Sequence, residues 1–374
     1  MAREFISTLR LEIRPWPAAL AQDSAPRARR KVPRACPWGS TIAWKPLLFA
    51  CLIFGAMSVE LRAQGRADDE ARLNRLRVVY PAPSPTYLAA WLARDGGHFK
   101  EQGLNVEFIY IPSGSLAIQA MLAGEAPVVF SGGRALVNAT LGGADFVMFA
   151  GVVNVPAFYV MALPEIQTLQ DLKGKKVGVT RIGSSTDFTM RLVLRKVGLQ
   201  PDKDVAFVQL GDLASLAAAL GTKAIAAAAF VPPFNLKAKE VGAKLLVDMA
   251  KVGAHYPHTG LVASRKYLRS SDMVRRFLKG YAQGLRRMFT DSSFSKGVLS
   301  RYTKTAEPEY LDAMYQYALD FVERVPYPTR DGIIETLRES EHPRAKSARP
   351  EEFIDDALVR ELESQGFFVA KATK

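Results

Sequence analysis

The feature that most constrains this chain is a strand–helix alternation that runs from Leu76 to Ala150 and starts again after Pro164. Leu76–Tyr80 is a short β-rich run closed by the turn-prone Pro81-Ala82-Pro83-Ser84-Pro85. Tyr87, Leu88, Trp91, Leu92 and Phe99 then fall at helical spacing, with Gly96-Gly97 breaking the run. Val106–Ile111, Val128–Phe130 and Phe146–Ala150 read as strands, with helices at Ser115–Ala123 and Arg134–Leu141 between them. Such a rhythm with short loops predicts a parallel sheet covered by helices on both faces. The second round has strands at Lys176–Thr180, Val205–Gln209, Ala224–Phe230 and Leu245–Asp248. Its helices are expected at Ser184–Val197, Leu213–Leu220 and Pro233–Val241. Two consecutive units predict two α/β lobes rather than one large sheet.

After Pro257 the pattern changes. Gly260–Ala263 reads as one strand and the remainder as helices. Ser271–Phe289 carries Val274, Phe277, Leu278, Tyr281 and Leu285 on one stripe. Glu309–Val322 and Glu351–Glu363 are similar, with Pro308 and Pro350 near their starts. A helical tail wrapping back on the first lobe makes that lobe discontinuous, 74–163 plus 257–374, with 164–256 as the second lobe.

The N-terminus reads as a targeting segment. Arg27, Arg29, Arg30, Lys31 and Arg34 precede an apolar run, Leu47–Val59, of about 13 residues. That is too short to span a bilayer and fits the core of a signal peptide. Leu61-Arg62-Ala63 loosely satisfies the cleavage rule, so residues 1–63 are expected to form a leader; an uncleaved anchor is the alternative. This leader holds ten of the basic and four of the acidic residues, which leaves +7 of the formal +13 on the rest of the chain. A charge that small, spread along the chain, gives no support to a nucleic-acid partner. Both cysteines, Cys36 and Cys51, also fall in the leader, so the remainder has no disulfide, thiolate metal site or cysteine nucleophile.

In open α/β sheets, ligands bind outside the carboxyl ends of the strands. Those ends are rich in hydroxyls and glycines here. Ser84 follows the first strand, Ser113-Gly114 the second and Ser131-Gly132 the third. Gly183-Ser184-Ser185-Thr186 follows a strand of the second unit and opens a helix, and Pro232 follows another strand. Small residues let backbone N–H groups approach a ligand, and helix N-termini favour negative charge. The Ser184-x-x-Asp187 spacing equally fits a capping box that needs no ligand. Tyr87 is a candidate wall of the cleft, and Arg134 a candidate partner for an anion; a core tyrosine and a solvated arginine are the alternatives. Arg181 has the same ambiguity, while His255 and His258 lack carboxylates or thiols at metal spacing and read as structural or exposed. Phosphate-loop, dinucleotide, nucleophile-elbow and H-E-x-x-H signatures are missing, in agreement with a binding role and no cofactor.

Longer strings carry a resemblance. Leu76–Tyr80, Trp91–Leu104, Ser113-Gly114, Met121–Glu125 and Asp171–Val179 follow in the order of the periplasmic substrate-binding proteins of ABC importers. The chain resembles their sulfonate/nitrate/taurine and thiamine-precursor group, called NMT1/THI5-like. The resemblance implies a type II periplasmic-binding fold, two lobes joined by a two-strand hinge near Val160–Pro164 and Thr259–Ala263, and a ligand in the cleft. It implies a monomeric, non-enzymatic receptor in the periplasm whose partners are a small-molecule ligand and an ABC permease in the inner membrane. A sensory receptor and a pyrimidine enzyme of the same fold are the alternatives. The resemblance turns Ser84, Ser113, Gly132 and Ser184–Thr186 toward ligand. The group's G-x-[VI]-D turns are replaced by Gly124-Glu125-Ala126-Pro127 and Gly221-Thr222-Lys223-Ala224-Ile225-Ala226, which leaves the identity of the ligand open.

Overall fold

Hydrogen bonding sorts the apolar runs into two five-stranded sheets. The computed structural model describes residues 73–368, so the expected leader and its cleavage site lie outside the described residues. The first sheet has the order β2-β1-β3-β10-β4, formed by β1 Asn74–Tyr80, β2 Leu104–Tyr110, β3 Val128–Ser131, β4 Phe146–Val153 and β10 Thr259–Ser264. The second has the order β7-β6-β8-β5-β9, formed by β5 Tyr159–Ala162, β6 Lys176–Val179, β7 Ala206–Gln209, β8 Ala227–Phe230 and β9 Lys244–Asp248. Every residue of β3, β4 and β8 is buried, as strands covered on both faces must be.

The sheets are mixed, where the alternation alone predicts parallel ones. β10 runs antiparallel to β3 and β4, and β5 antiparallel to β8 and β9. The cause is the path of the chain. It leaves the first sheet at the carboxyl end of β4 and enters the second at the carboxyl end of β8, where Tyr159 pairs with Phe230. A strand that starts at that edge has to run backwards. The return is the same in reverse, with Thr259 opposite Val153 and Gly260 opposite Ser131.

The two crossings, 154–158 and 249–258, run side by side. Tyr256 donates its N–H to the Asn154 carbonyl at 3.2 Å and Met249 to that of Phe158 at 2.9 Å. The crossings therefore precede the expected hinge segments, Val160–Pro164 and Thr259–Ala263, most of which already lies inside β5 and β10. Apolar, strand-forming residues there prefer a ladder to a bare connection.

Helices cover the sheets. The first lobe has α1 Leu88–Asp95, α2 His98–Glu101, α3 Gly114–Leu122 and α4 Gly133–Leu141; the second has α5 Ser185–Lys196, α6 Leu213–Gly221 and α7 Phe234–Glu240. The tail holds α8 Arg265–Ser270, α9 Met273–Thr290, α10 Ser292–Thr303, α11 Pro308–Phe321, α12 Arg330–Arg338 and α13 Ala357–Ser364. The tail packs against helices α1 and α2. Phe277 of α9 stacks on Phe99 of α2 at 4.8 Å, and Gly284 of α9 lies against Ala89 of α1. The final helix starts later than Glu351, because Pro350–Glu352 forms a single tight turn and Ile354 then bridges to Met148 of β4. Among the described residues no helix is long and apolar enough to cross a membrane.

Candidate functional site

The carboxyl edges of both sheets face one cavity of about 60 Å³. Ser113 is the N-cap of α3, Gly132 of α4 and Ser184 of α5, and all three line it. Each sits where a strand has ended and a helix begins, so the amino ends of three helices converge there. That of α4 has its first two N–H groups already bonded, Gly133 to the Pro257 carbonyl at 2.7 Å and Arg134 to the Tyr256 hydroxyl at 3.4 Å. Ser113 holds φ at 79°, a left-handed value unusual for a residue with a β-carbon, and such strain often marks binding loops.

Hydroxyl groups dominate the polar lining. On the second lobe, Thr180, Ser184 and Thr186 form a closed triangle of Oγ contacts at 2.9–3.1 Å. Thr186 Oγ1 also accepts the Thr180 N–H at 3.0 Å, and Ser184 Oγ accepts that of Asp187 at 3.4 Å. Ser184 thus caps α5 and lines the cavity in one loop. The capping box is only half formed, because the Asp187 carboxylate receives the Gly183 N–H at 3.0 Å while the Ser184 N–H goes to the Arg181 carbonyl. On the first lobe, Ser84 and Thr86 pair their hydroxyls at 3.1 Å, and Ser113 pairs with Ser115 at 2.9 Å. Phe158, Leu213 and Val231 supply apolar wall.

The cleft is closed. Ser185 Oγ donates to the His258 carbonyl at 3.3 Å and accepts from the Tyr256 hydroxyl at 3.0 Å. Tyr256 is held by stacking on Phe188 of α5 at 4.0 Å. A β-carbon added to Gly132 would stand 2.0 Å from Ser185 Oγ, so only glycine lets the two helix tips come this close.

Among the described residues, none with a formal charge lines the cavity; the titratable groups there are Tyr87 and His258. Burial pushes the Tyr87 phenol well up, only partly offset by a hydrogen bond with the Thr259 side chain. Burial alone lowers His258 to about 3, so its ring is neutral at physiological pH. Among the described residues no group of three or more His, Cys, Asp or Glu is placed to hold a metal ion.

Of the residues singled out in the sequence, Ser84, Tyr87, Ser113, Gly114, Gly132, Ser184, Ser185 and Thr186 line the cavity. Four do not. Ser131 is buried behind it, donating to the Gly114 carbonyl at 3.2 Å. Gly183 takes the turn with φ of 80° and donates its N–H to Asp187. Pro232 stands one residue beyond the lining Val231, in a cis Pro232-Pro233 pair. Arg134 is the clearest correction. Its guanidinium turns into the tail and donates to the Glu339 carbonyl at 2.9 Å. Arg181 and His255 are exposed, whereas His258, read as structural or exposed, is buried in the cavity wall.

Phe158, His258 and Thr259 were missed for one reason. They lie at the starts of the antiparallel strands β5 and β10 or just before them, and those starts sit at the same edge as the carboxyl ends of the parallel strands. A rule that inspects only carboxyl ends passes over them. Thr180 was within reach of the rule, since it directly follows β6.

Residues 84–292 match the family described as NMT1/THI5 like, more than half of the chain. A protein of Bacillus subtilis named as a binding protein, YtlA, is 24% identical over 235 residues, 61% of this chain and 69% of that protein. A Brucella abortus protein, also named as a binding protein, is 31% identical over 151 residues, 40% of this chain and 45% of its own length. Among solved structures, the alkanesulfonate-binding protein SsuA of Xanthomonas axonopodis bound to MOPS superposes with a TM-score of 0.62 at 19% identity, over 77% of this chain and 96% of that one. The periplasmic nitrate-binding protein NrtA of Synechocystis gives 0.63 at 12% identity, over 78% and 89%. At such identities the likeness shows the periplasmic-binding fold.

Proposed function

Because the chain belongs to the NMT1/THI5-like family, we propose that it is the extracytoplasmic receptor of an ABC importer, closing its two lobes on a small organic anion. The observation that carries this reading is the convergence of three helix N-caps, Ser113, Gly132 and Ser184, on a cavity without a charged side chain. Converging N–H groups and hydroxyls solvate an oxyanion without a counter-charge. A cationic ligand would find no carboxylate there, and burying it unpaired is costly. The ligands named for SsuA and NrtA, a sulfonate and nitrate, are of the class such a lining suits.

On this reading the protein acts as a monomer in the periplasm, and the lobes exchange chain at 154–158 and 249–258. Closure presents a new surface to the permease by shifting the balance between open and closed states. Ligand capture without chemistry is supported by the hydroxyls of the lining. None is hydrogen-bonded to the ring of His258, so no activated nucleophile is assembled.

The test is a thermal-shift titration with nitrate, methanesulfonate, MOPS, small carboxylates and pyrimidines. Trp91, the one tryptophan beyond residue 63, has its ring 6.0 Å from that of the lining Tyr87 and gives a second signal. A true ligand at a hundred times its Kd adds about 2.7 kcal/mol, a rise of several degrees in melting temperature. Absence of a shift and of a fluorescence change across the whole series sinks the receptor reading.

A further inference from the structure

His258 differs from the other polar groups of the cavity. The hydroxyls are bonded to one another or to backbone, whereas the His258 Nδ1 has no hydrogen-bond partner although the residue is only 6% exposed. Buried polar groups normally have partners. The backbone of His258 is fixed on both sides. Its N–H donates to the Tyr256 carbonyl at 2.7 Å, and its carbonyl receives the Ser185 hydroxyl from the second lobe. Its ring lies 4.3 Å from that of Phe158, tilted by 37°, so the plane of the imidazole is held as well. The result is an oriented ring with an unpartnered Nδ1 in the wall of a closed cleft, next to the point where the lobes touch.

We propose that His258 is a specificity-determining contact whose imidazole hydrogen-bonds the ligand directly. This rests on the receptor reading of the cavity. A neutral imidazole offers one donor and one acceptor and no charge, so its contribution is direction rather than attraction. The ligand it selects places a hydrogen-bonding atom against the wall formed by Phe158 and His258. An analogue with an apolar group there leaves the ring unpaired and is rejected.

The experiment compares wild type, His258→Phe and His258→Gln in the full chain, with methanesulfonate and MOPS as probes. Phe keeps a planar ring beside Phe158, and Gln keeps a donor and an acceptor. Two quantities are read: probe affinity by Trp91 fluorescence, and the melting temperature without probe. The expected result is an affinity loss of about tenfold or more in His258→Phe, substantially restored in His258→Gln, with a probe-free melting temperature in His258→Phe no lower than in wild type. A structural histidine would move both quantities down together. Unchanged affinity in His258→Phe overturns the proposal, and so does a probe-free melting temperature lowered by several degrees in both variants. If wild type binds neither probe, the receptor reading has failed for this ligand class. The probe-free arm then decides: a stabilised His258→Phe upholds the unpartnered ring, and a destabilised one overturns it.

Discussion

Gly132 stands where the two lobes touch. A methyl group there would meet Ser185 Oγ at 2.0 Å and the His258 carbonyl at 2.8 Å, and the second of these is backbone that cannot swing aside. The clash with Ser185 is expected to make Gly132→Ala prop the cleft open, with local strain in the first lobe, where His258 directly precedes β10. Lowering the closed population raises the apparent Kd in proportion, and a loss of tenfold or more is expected by fluorescence titration. A small-angle scattering measurement should show a larger radius of gyration for the variant in saturating ligand. Wild-type affinity in Gly132→Ala would mean that the bound state is more open than the one described. The same scale explains Arg134. Its neighbour Gly132 faces the cavity, yet its guanidinium finds a carbonyl acceptor in Glu339, far along the chain. Sequence adjacency to a binding loop says little about where a long side chain ends.

At the scale of elements, the tail is held to the first lobe by the α9–α1 contact. Gly280 and Gly284 are one helical turn apart on the face of α9 turned toward α1 and α2. A β-carbon on Gly284 would stand 2.1 Å from the Ala89 carbonyl oxygen, and one on Gly280 2.6 Å from the Phe99 ring. The backbones approach too closely for any side chain. Gly284→Ala is expected to destabilise by about 1–3 kcal/mol through overpacking, even though alanine is the better helix former. Denaturant melts check this, and a variant as stable as wild type would show that the helices separate without cost. The stripe of Val274, Phe277, Leu278, Tyr281 and Leu285 was legible because an amphipathic period is local, and all five are buried. The single turn at Pro350–Glu352 was not, because the pull of Ile354 toward Met148 is tertiary.

Across the whole molecule, the closed arrangement is supported away from the cavity as well. Arg195 on α5 of the second lobe forms an ion pair with Glu339 at the end of α12, and a longer one with Glu341 at 3.6 Å. The pair is partly exposed, 33% for the Arg195 side chain and 22% for that of Glu339, so its contribution is modest. Arg195→Ala is expected to weaken ligand binding by about two- to fivefold. The Kd of wild type should rise more steeply with salt than that of the variant, because screening acts on the pair that the variant lacks. Identical salt dependence would remove the pair from the closing equilibrium. The tail thus does more than complete the first lobe: it reaches over to the second.

By itself, the sequence determined the two rounds of strand and helix, the helical tail and the ring of Ser and Gly loops at strand ends. Periodicity and turn chemistry are properties of neighbouring residues, so Ser84, Ser113, Gly132 and Ser184–Thr186 were legible as one set. Only the tertiary structure decided the direction of β5 and β10, and with it that Phe158, His258 and Thr259 join the wall. Direction depends on which edge the chain enters after a crossing, which no local pattern encodes. The same holds for the approach of Gly132 to Ser185 and for the neutrality of His258. Both arise from groups distant in sequence that exclude water together, and the hydrogen-bonding character of the site follows from that exclusion.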